Sequence, residues 1–475
     1  MTELVLGIDL GTTYFKLGLF DRAGRLCGLG RVFVPHNSPD GKRCELPAER
    51  FWSLLQDALH SACSQAGVLP SDIKAVSYAS QANSFILLDE IDSPLTPLIL
   101  WPDSRIDNLD SVVQDLWQRD DFLKTTGLGV DSSATFCVSK LRWFQKNQSL
   151  VWSRTRRIMT ISDYLTFELT NQTLADAGTA SLLGLLDLKN CRWWPQALDI
   201  LGLSAAQLST PLRPGTRAGK ITKNGSQRLG LKTGTPFVLG SLDHHIAAIG
   251  AGLGQIADLS ESTGTVLACV NFTNRYHPGA NFCTGLGIND GEYFQLAFSD
   301  NGAASLEWYQ KQYAPNLGID ELVKMAESVE IGSDGLIALP MSHRFDDLKG
   351  FKNTSDSHKE KHFVRAIMES TAASLAQLVD QLCGQNRPEK IVATGGGARS
   401  DLWLQIKADL LGTEFITTRC YEPACMGAAI LAAVAAGWFK DIRRASSRLI
   451  AAQKSFSPNP IDSKTYLDWY NRLPL

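Results

Sequence analysis

The chain has 475 residues, 44% hydrophobic and 20% charged, which excludes a disordered or fibrous polymer and makes two domains, each with its own core, the expectation. Lys+Arg 46 against Asp+Glu 49 gives a formal net charge of −3, so no whole-chain field argues for a nucleic-acid or membrane-surface partner. The N-terminus lacks the pattern of a secretory leader, the apolar run "GAAILAAVAAGWF" is too short to span a bilayer, and the ten cysteines are scattered without CxxC pairs, as in a reduced cytoplasmic protein.

Runs rich in Val, Ile and Leu alternate with helical periodicity, which predicts α/β architecture. In chain order the pattern predicts strands over 4–10 and 16–21, a helix over 47–66, strands over 75–80 and 84–89, and helices over 134–145 and 163–170. Strands follow over 237–242, 265–272 and 293–298, then helices over 303–312 and 362–384, a strand over 390–394 and a helix over 400–411. The stretch "LRPGTRAGKITKNGSQRLGLKTGTPFVLG" is dense in turn-forming residues and leads into a buried strand, which places a domain boundary just after it and divides the chain into 1–248 and 249–475.

Two segments share one order of acidic residue, small Gly/Thr turn and strand: "GIDLGTTYFKLGLF" (7–20) and "DLSESTGTVLACVNF" (258–272). Two such turns, with backbone N–H groups, hydroxyls and a carboxylate nearby, suit a polyphosphate and its metal ion; two ordinary glycine-containing hairpins are the plainer alternative. The chain has no GxxxxGK[ST] and no GxGxxG leading from a strand into a helix, so any phosphate would be held at a hairpin tip rather than by a helix dipole.

The first segment resembles the first phosphate motif of the actin, heat-shock ATPase and sugar kinase superfamily. "ILWPDSR" (99–105), "ISDYLTFELT" (161–170), "GTPFVLGSLDHHIAAIGAG" (234–252), "ESTGTV" (261–266), "ATGGGARSDLWLQIKADLLG" (393–412) and "EPACMGAAILAA" (422–433) resemble blocks of the FGGY carbohydrate kinases, in family order and over nearly the whole chain. The resemblance implies two ribonuclease-H-like (actin-like ATPase) domains with a nucleotide/sugar cleft between them. It also implies ATP and Mg²⁺ as cofactors, a sugar or polyol as small-molecule partner, and no nucleic acid or membrane; a homodimer is compatible with it.

Carried over residue by residue, Asp9 would help hold Mg²⁺, with Asp243 beside it, while Gly11, Thr12 and Thr13 would face the β- and γ-phosphates. Lys16 either adds charge to the phosphates or is an ordinary strand lysine. Ser262, Thr263, Gly264 and Thr265 resemble the second phosphate motif. Gly395, Gly396, Gly397 and Ser400 resemble the adenosine site, where missing Cβ atoms let a flat ligand lie on bare backbone; Ser400 also suits a helix N-cap. Gly302 and Glu307 resemble another nucleotide-facing segment. Asp243 ends an apolar strand and matches the family's catalytic base, the one carboxylate that phosphoryl transfer to a hydroxyl needs. Its neighbours His244 and His245 invite a metal reading, but adjacent residues point apart, so rim or structural roles fit better.

Trp101, Asp103 and Arg105 resemble the family's W-x-D-x-R element near the sugar, and Gln81, Ala82 and Asn83 occupy the substrate-reading loop. Xylulokinases resemble G-Q-M-H-G there and glycerol kinases N-Q-R-E-T; this chain keeps only the Gln, and "LPMSHRFDD" (339–347) departs from the family's usual run. The expectation is a xylulokinase-like, ATP-dependent kinase acting on the terminal hydroxyl of a small ketose, such as xylulose or ribulose. A polyol kinase of the glycerol or erythritol type is the alternative, and a non-catalytic sugar or nucleotide sensor a further one.

Overall fold

The computed structural model describes residues 3–35, 38, 40–384 and 386–473. Packing divides the chain into two units. The first contains the chain up to Gly250 together with Phe272–Gln295 and Glu422–Ile450; the second contains Ala251–Asn271, Leu296–Tyr421 and the chain from Ala451 onward. Packing thus departs from the sequence division at 248/249, because two later segments return to the first unit.

In the first unit β1 (Leu4–Leu10), β2 (Tyr14–Phe20) and β3 (Leu26–Phe33) form an antiparallel meander, and β4 (Ile73–Ser80) lies parallel to β1 with Ile8 opposite Tyr78. Every residue of β1 is buried, as expected of a central strand covered on both faces. On one face α1 (Ala48–Ala66) inserts Phe51, Trp52 and Leu55, part of a core shared with Leu6, Ile8 and Phe15. The other face is covered by the helix Pro423–Ala435, whose apolar residues run all the way round, as a fully buried helix requires. That approach depends on Gly7: a Cβ there would lie 2.0 Å from the Cys425 carbonyl oxygen. This helix is not among the predicted elements, although the run resembles a family block, because an apolar run without amphipathic period carries no helical signal.

The second unit repeats the plan. Strands β5 (Leu259–Thr263) and β6 (Leu267–Thr273) form an antiparallel hairpin, β7 (Lys390–Thr394) lies parallel to β5, β8 (Glu414–Thr418) parallel to β7, and β9 (Ala452–Phe456) antiparallel to β8. The likeness between 7–20 and 258–272 is therefore structural: each segment is a hairpin set beside a parallel strand.

Most predicted elements fall within a few residues of those observed, and two differ for physical reasons. The strand predicted over 237–242 is two short pieces, Pro236–Val238 and Ser241–Leu242, both parallel to β4. Between them Leu239 turns to bond Gly215 and Thr216, and Gly240 presses on the Tyr78 carbonyl. The strand predicted from Thr265 begins at Leu267, because Gly264 N–H closes a tight turn on the Val266 carbonyl at 3.0 Å.

Candidate functional site

In the first unit the site grows from the tip of the β1–β2 hairpin. Antiparallel register sets Asp9 opposite Lys16, and the Lys16 ammonium lies 3.3 Å from the Asp9 carboxylate and 2.8 Å from that of Glu422, which precedes the returning helix. Lys16 is thus neither free nor an ordinary surface lysine. Burial raises the Asp9 carboxyl to about 6; Lys16 pulls it down, but Asp243 and Glu422 add negative charge and raise it. Burial disfavours charge on Lys16 too, yet Asp9 and Glu422 outweigh it and hold the ammonium protonated well above its usual range.

Asp243 begins the helix Asp243–Ala251 and is half-buried, its Oδ1 accepting the His244 N–H at 2.8 Å. The adjacent His245 is buried, stacked on Phe294 at 4.3 Å and 3.4 Å from Ser241 Oγ; burial lowers it to about 3, so it is a neutral structural ring. Among the described residues no group of three His, Cys, Asp or Glu side chains could hold a metal ion. The Asp9–Asp243 pair instead offers the one or two carboxylates that Mg²⁺ takes when phosphate and water oxygens complete its shell.

The loop after β4 is wired to the hairpin tip. Buried Gln81 donates through Nε2 to the Leu10 and Gly11 carbonyls at 3.3 and 3.1 Å, and its Oε1 accepts from Ser84 Oγ at 2.7 Å. Ser84 Oγ in turn accepts the Trp101 N–H at 2.8 Å, and the Trp101 indole donates to Thr12 Oγ1 at 2.6 Å while its ring stays 40% exposed. A hydroxyl that accepts from an indole has its own proton free to donate, which is what a phosphate oxygen needs. Asn83, at φ 61, accepts the Cys137 N–H at 2.9 Å; Ala82 beside it is half-buried.

Asp103 and Arg105 are not open to a ligand. Both are buried and paired through Arg105 Nε to Asp103 Oδ1 at 2.7 Å, with Glu45 as second partner of the guanidinium and the Cys44 N–H on Asp103. Burial alone would raise the Asp103 carboxyl, but Arg105 and the backbone donors hold it below the carboxylate range. These two residues therefore support the Trp101 loop from beneath. Lys140, absent from the sequence reading, does the same by donating to the Leu100 and Trp101 carbonyls at 3.2 and 2.8 Å; burial lowers its ammonium to about 8.

The second unit gathers three separate sequence blocks. Ser262 and Gly264 are half-buried and Thr265 is exposed at the β5–β6 turn. Gly302 is packed on that turn, where a Cβ would come 2.4 Å from the Thr265 carbonyl oxygen, and Glu307 follows on the exposed side of the helix Ala304–Tyr313. Gly395, at φ 79, and Gly396 are exposed, while Gly397 rests on the Thr263 side chain. Ser400 caps the helix Asp401–Leu411 by accepting the Trp403 N–H at 3.0 Å. Thr263 departs from the expectation that it faces phosphate, being fully buried with its hydroxyl engaged below the turn by Glu261 and Lys407. Neither charged residue is marked by its sequence block, because only burial sets them apart from surface charges.

Two units, each a hairpin beside a parallel strand, make the fold that of the sugar kinases built from two actin-like ATPase domains. The model of the FGGY family of carbohydrate kinases, N-terminal domain, matches residues 4–250, and that of the C-terminal domain matches residues 341–436. The chain belongs to the FGGY family of carbohydrate kinases and is a phosphotransferase acting on a sugar hydroxyl; kinases of this family use ATP and generally a divalent metal. It is 29% identical to a gluconokinase of Bacillus subtilis (strain 168), with 98% of this chain and 94% of the relative covered. It is 26% identical to a xylulose kinase of the same strain, covering 99% and 96%. Among solved structures, a ligand-bound xylulose kinase from Lactobacillus acidophilus superposes with TM-score 0.87 at 24% identity, covering 99% of this chain and 96% of that one. Plasmodium falciparum glycerol kinase with ADP gives 0.83 at 19% identity, covering 99% and 97%. Among the described residues no helix is long and apolar enough to cross a membrane.

Proposed function

We propose that the protein transfers the γ-phosphoryl group of ATP to the terminal hydroxyl of a small ketose, a pentulose such as xylulose or ribulose being the leading acceptor. The observation that carries this reading is the buried Asp9 carboxylate, raised to about 6 beside Asp243 and ion-paired with Lys16 at the hairpin tip. Two carboxylates that repel each other, with oxygen donors alone, fit a hard divalent cation. Mg²⁺ bound by Asp9 and Asp243 would neutralise charge on the phosphates.

The chain's own residues supply the rest. Asp243 accepts the proton of the sugar hydroxyl, its carboxylate oriented by the His244 N–H. Thr12, its hydroxyl aimed by the Trp101 indole, donates to a phosphate oxygen, and Gly11 and Thr13 offer backbone at the same tip. The exposed glycines 395 and 396, with Gly302 and the turn 262–265, take the nucleotide. The exposed Trp101 face receives the C–H surface of the sugar.

A sugar acid is a second acceptor reading, favoured by the 29% identity to a gluconokinase. One panel tests both: ADP release with ATP, Mg²⁺ and, in turn, pentuloses, hexuloses, polyols and D-gluconate. Stimulation by a pentulose supports the leading reading, stimulation by gluconate alone replaces it, and none from any acceptor defeats both. Asp243→Asn should lower turnover at least ~10²-fold with nucleotide affinity retained, the usual size of a general-base contribution.

A further inference from the structure

Lys407 and Glu261 are both 0% exposed, inside the second unit, and they form a closed ring with Thr263. Lys407 Nζ lies 2.8 Å from Glu261 Oε1 and 2.7 Å from Thr263 Oγ1, and Thr263 Oγ1 donates to Glu261 Oε2 at 2.8 Å. Both carboxylate oxygens are used, and so are the hydroxyl's donor and one acceptor site. The ring joins β5, which carries Glu261 and ends at Thr263, to the middle of the helix Asp401–Leu411, which carries Lys407; beside it Thr394, at the end of β7, donates to the Glu261 carbonyl at 3.0 Å.

We propose that Lys407 and Glu261 are positioning residues that lock the Thr263 side chain as the shared floor of the turn 262–265 and the triple-glycine loop, and so set nucleotide affinity. The inference rests on the reading that these loops hold the nucleotide. Thr263 meets the loop at two points: a Cβ on Gly397 would lie 2.8 Å from Thr263 Cβ, and one on Gly395 would lie 2.7 Å from the Thr263 carbonyl oxygen. A Cβ on Gly397 would also lie 2.8 Å from Thr263 Cγ2, so another rotamer of Thr263 would move the methyl on which the triple-glycine loop rests, while the Thr263 backbone carries the turn itself. Stability alone does not call for charges here, since a buried ion pair loses in desolvation much of what it gains in attraction, and apolar side chains of similar volume serve a core equally well. What the pair adds is orientation: its hydrogen bonds fit one rotamer of Thr263, whereas apolar neighbours would accept several.

The test is calorimetric titration with Mg-ADP alongside thermal unfolding. The double variant Lys407→Met with Glu261→Met keeps volume and leaves no unpaired charge; it should unfold within a few degrees of the parent while its ADP dissociation constant rises about tenfold or more. Thr263→Val should weaken ADP in the same direction, and Thr263→Ser, which keeps the hydroxyl and so the ring, should bind ADP more tightly than Thr263→Val. If the double variant does not fold, the two Thr263 variants decide alone. Parental ADP affinity in Thr263→Val or in the folded double variant overturns the proposal. Gly395→Val separates the underlying reading: if the parent binds ADP and this variant binds it equally well, the loops are not the nucleotide site and the reading itself has failed.

Discussion

Replacing Asp9 by Asn should make the protein more stable and inactive at once. The Asp9 carboxyl rises from an ordinary 3.8 to about 6, so the folded state holds this proton more tightly than the unfolded chain does. The contribution to folding is fully present below the unfolded value and is lost as pH rises through about 6. A rise from 3.8 to about 6 corresponds to about 3 kcal/mol of stability forgone near neutral pH. Asn cannot ionise, and it remains able to accept a hydrogen bond from Lys16, which keeps its stronger partner Glu422 at 2.8 Å. Asp9→Asn should therefore raise the unfolding midpoint by about 5 °C or more near neutral pH, a gain that shrinks to nothing by about pH 4. Scanning calorimetry across that range, with ADP release measured in parallel, checks both halves. A midpoint at or below the parent's in neutral buffer, or a gain independent of pH, would refute the account of a carboxylate kept charged against its surroundings for the sake of function.

The other predictions concern the scaffold around it. Gly7→Ala forces a methyl against the Cys425 carbonyl and should cost roughly 1–3 kcal/mol, read as a lower unfolding midpoint; an unchanged midpoint would mean the helix moves aside freely. Arg105→Met leaves Asp103 buried without its cation, and a loss of about 3–5 kcal/mol is expected near neutral pH. Part of that loss should return on acidification as the stranded carboxyl takes up a proton; a purely binding role would instead raise the sugar KM and leave the melt alone. Trp101→Phe keeps an aromatic face but removes the donor to Thr12, so kcat should fall about three- to tenfold, the worth of one hydrogen bond, with the sugar KM nearly constant. A raised sugar KM with intact kcat would show that the indole N–H serves the sugar.

What could be read from the sequence was what is local. The hairpin tip at Asp9–Thr13 and the loop Thr394–Ser400 declare themselves because their small residues and flanking strands are contiguous, and so did the repetition of hairpin and strand at 258–272. Long-range pairing was not legible. Glu261 and Lys407 stand 146 positions apart and look like any two charged residues until the fold buries both. Asp103 and Arg105 stand out by pattern, yet that their charges are spent on each other is visible only in the fold, since spacing says nothing about burial. The run in Pro423–Ala435 carried no amphipathic period, so neither its helix nor its return to the first unit could be inferred from periodicity.

That return has a consequence for synthesis. The first unit's central strand β1 gains its second covering face, and Lys16 its closest partner, only from residues beginning at Glu422. At about 5–20 residues per second, the roughly 170 residues between Gly250 and Glu422 keep that apolar face open for about 10–35 s after the rest of the N-terminal segment has left the ribosome. A nascent chain of this kind cannot finish its first unit before starting its second. It is exposed during that interval to aggregation and to chaperone capture, and a truncation after Gly250 would make the exposure permanent.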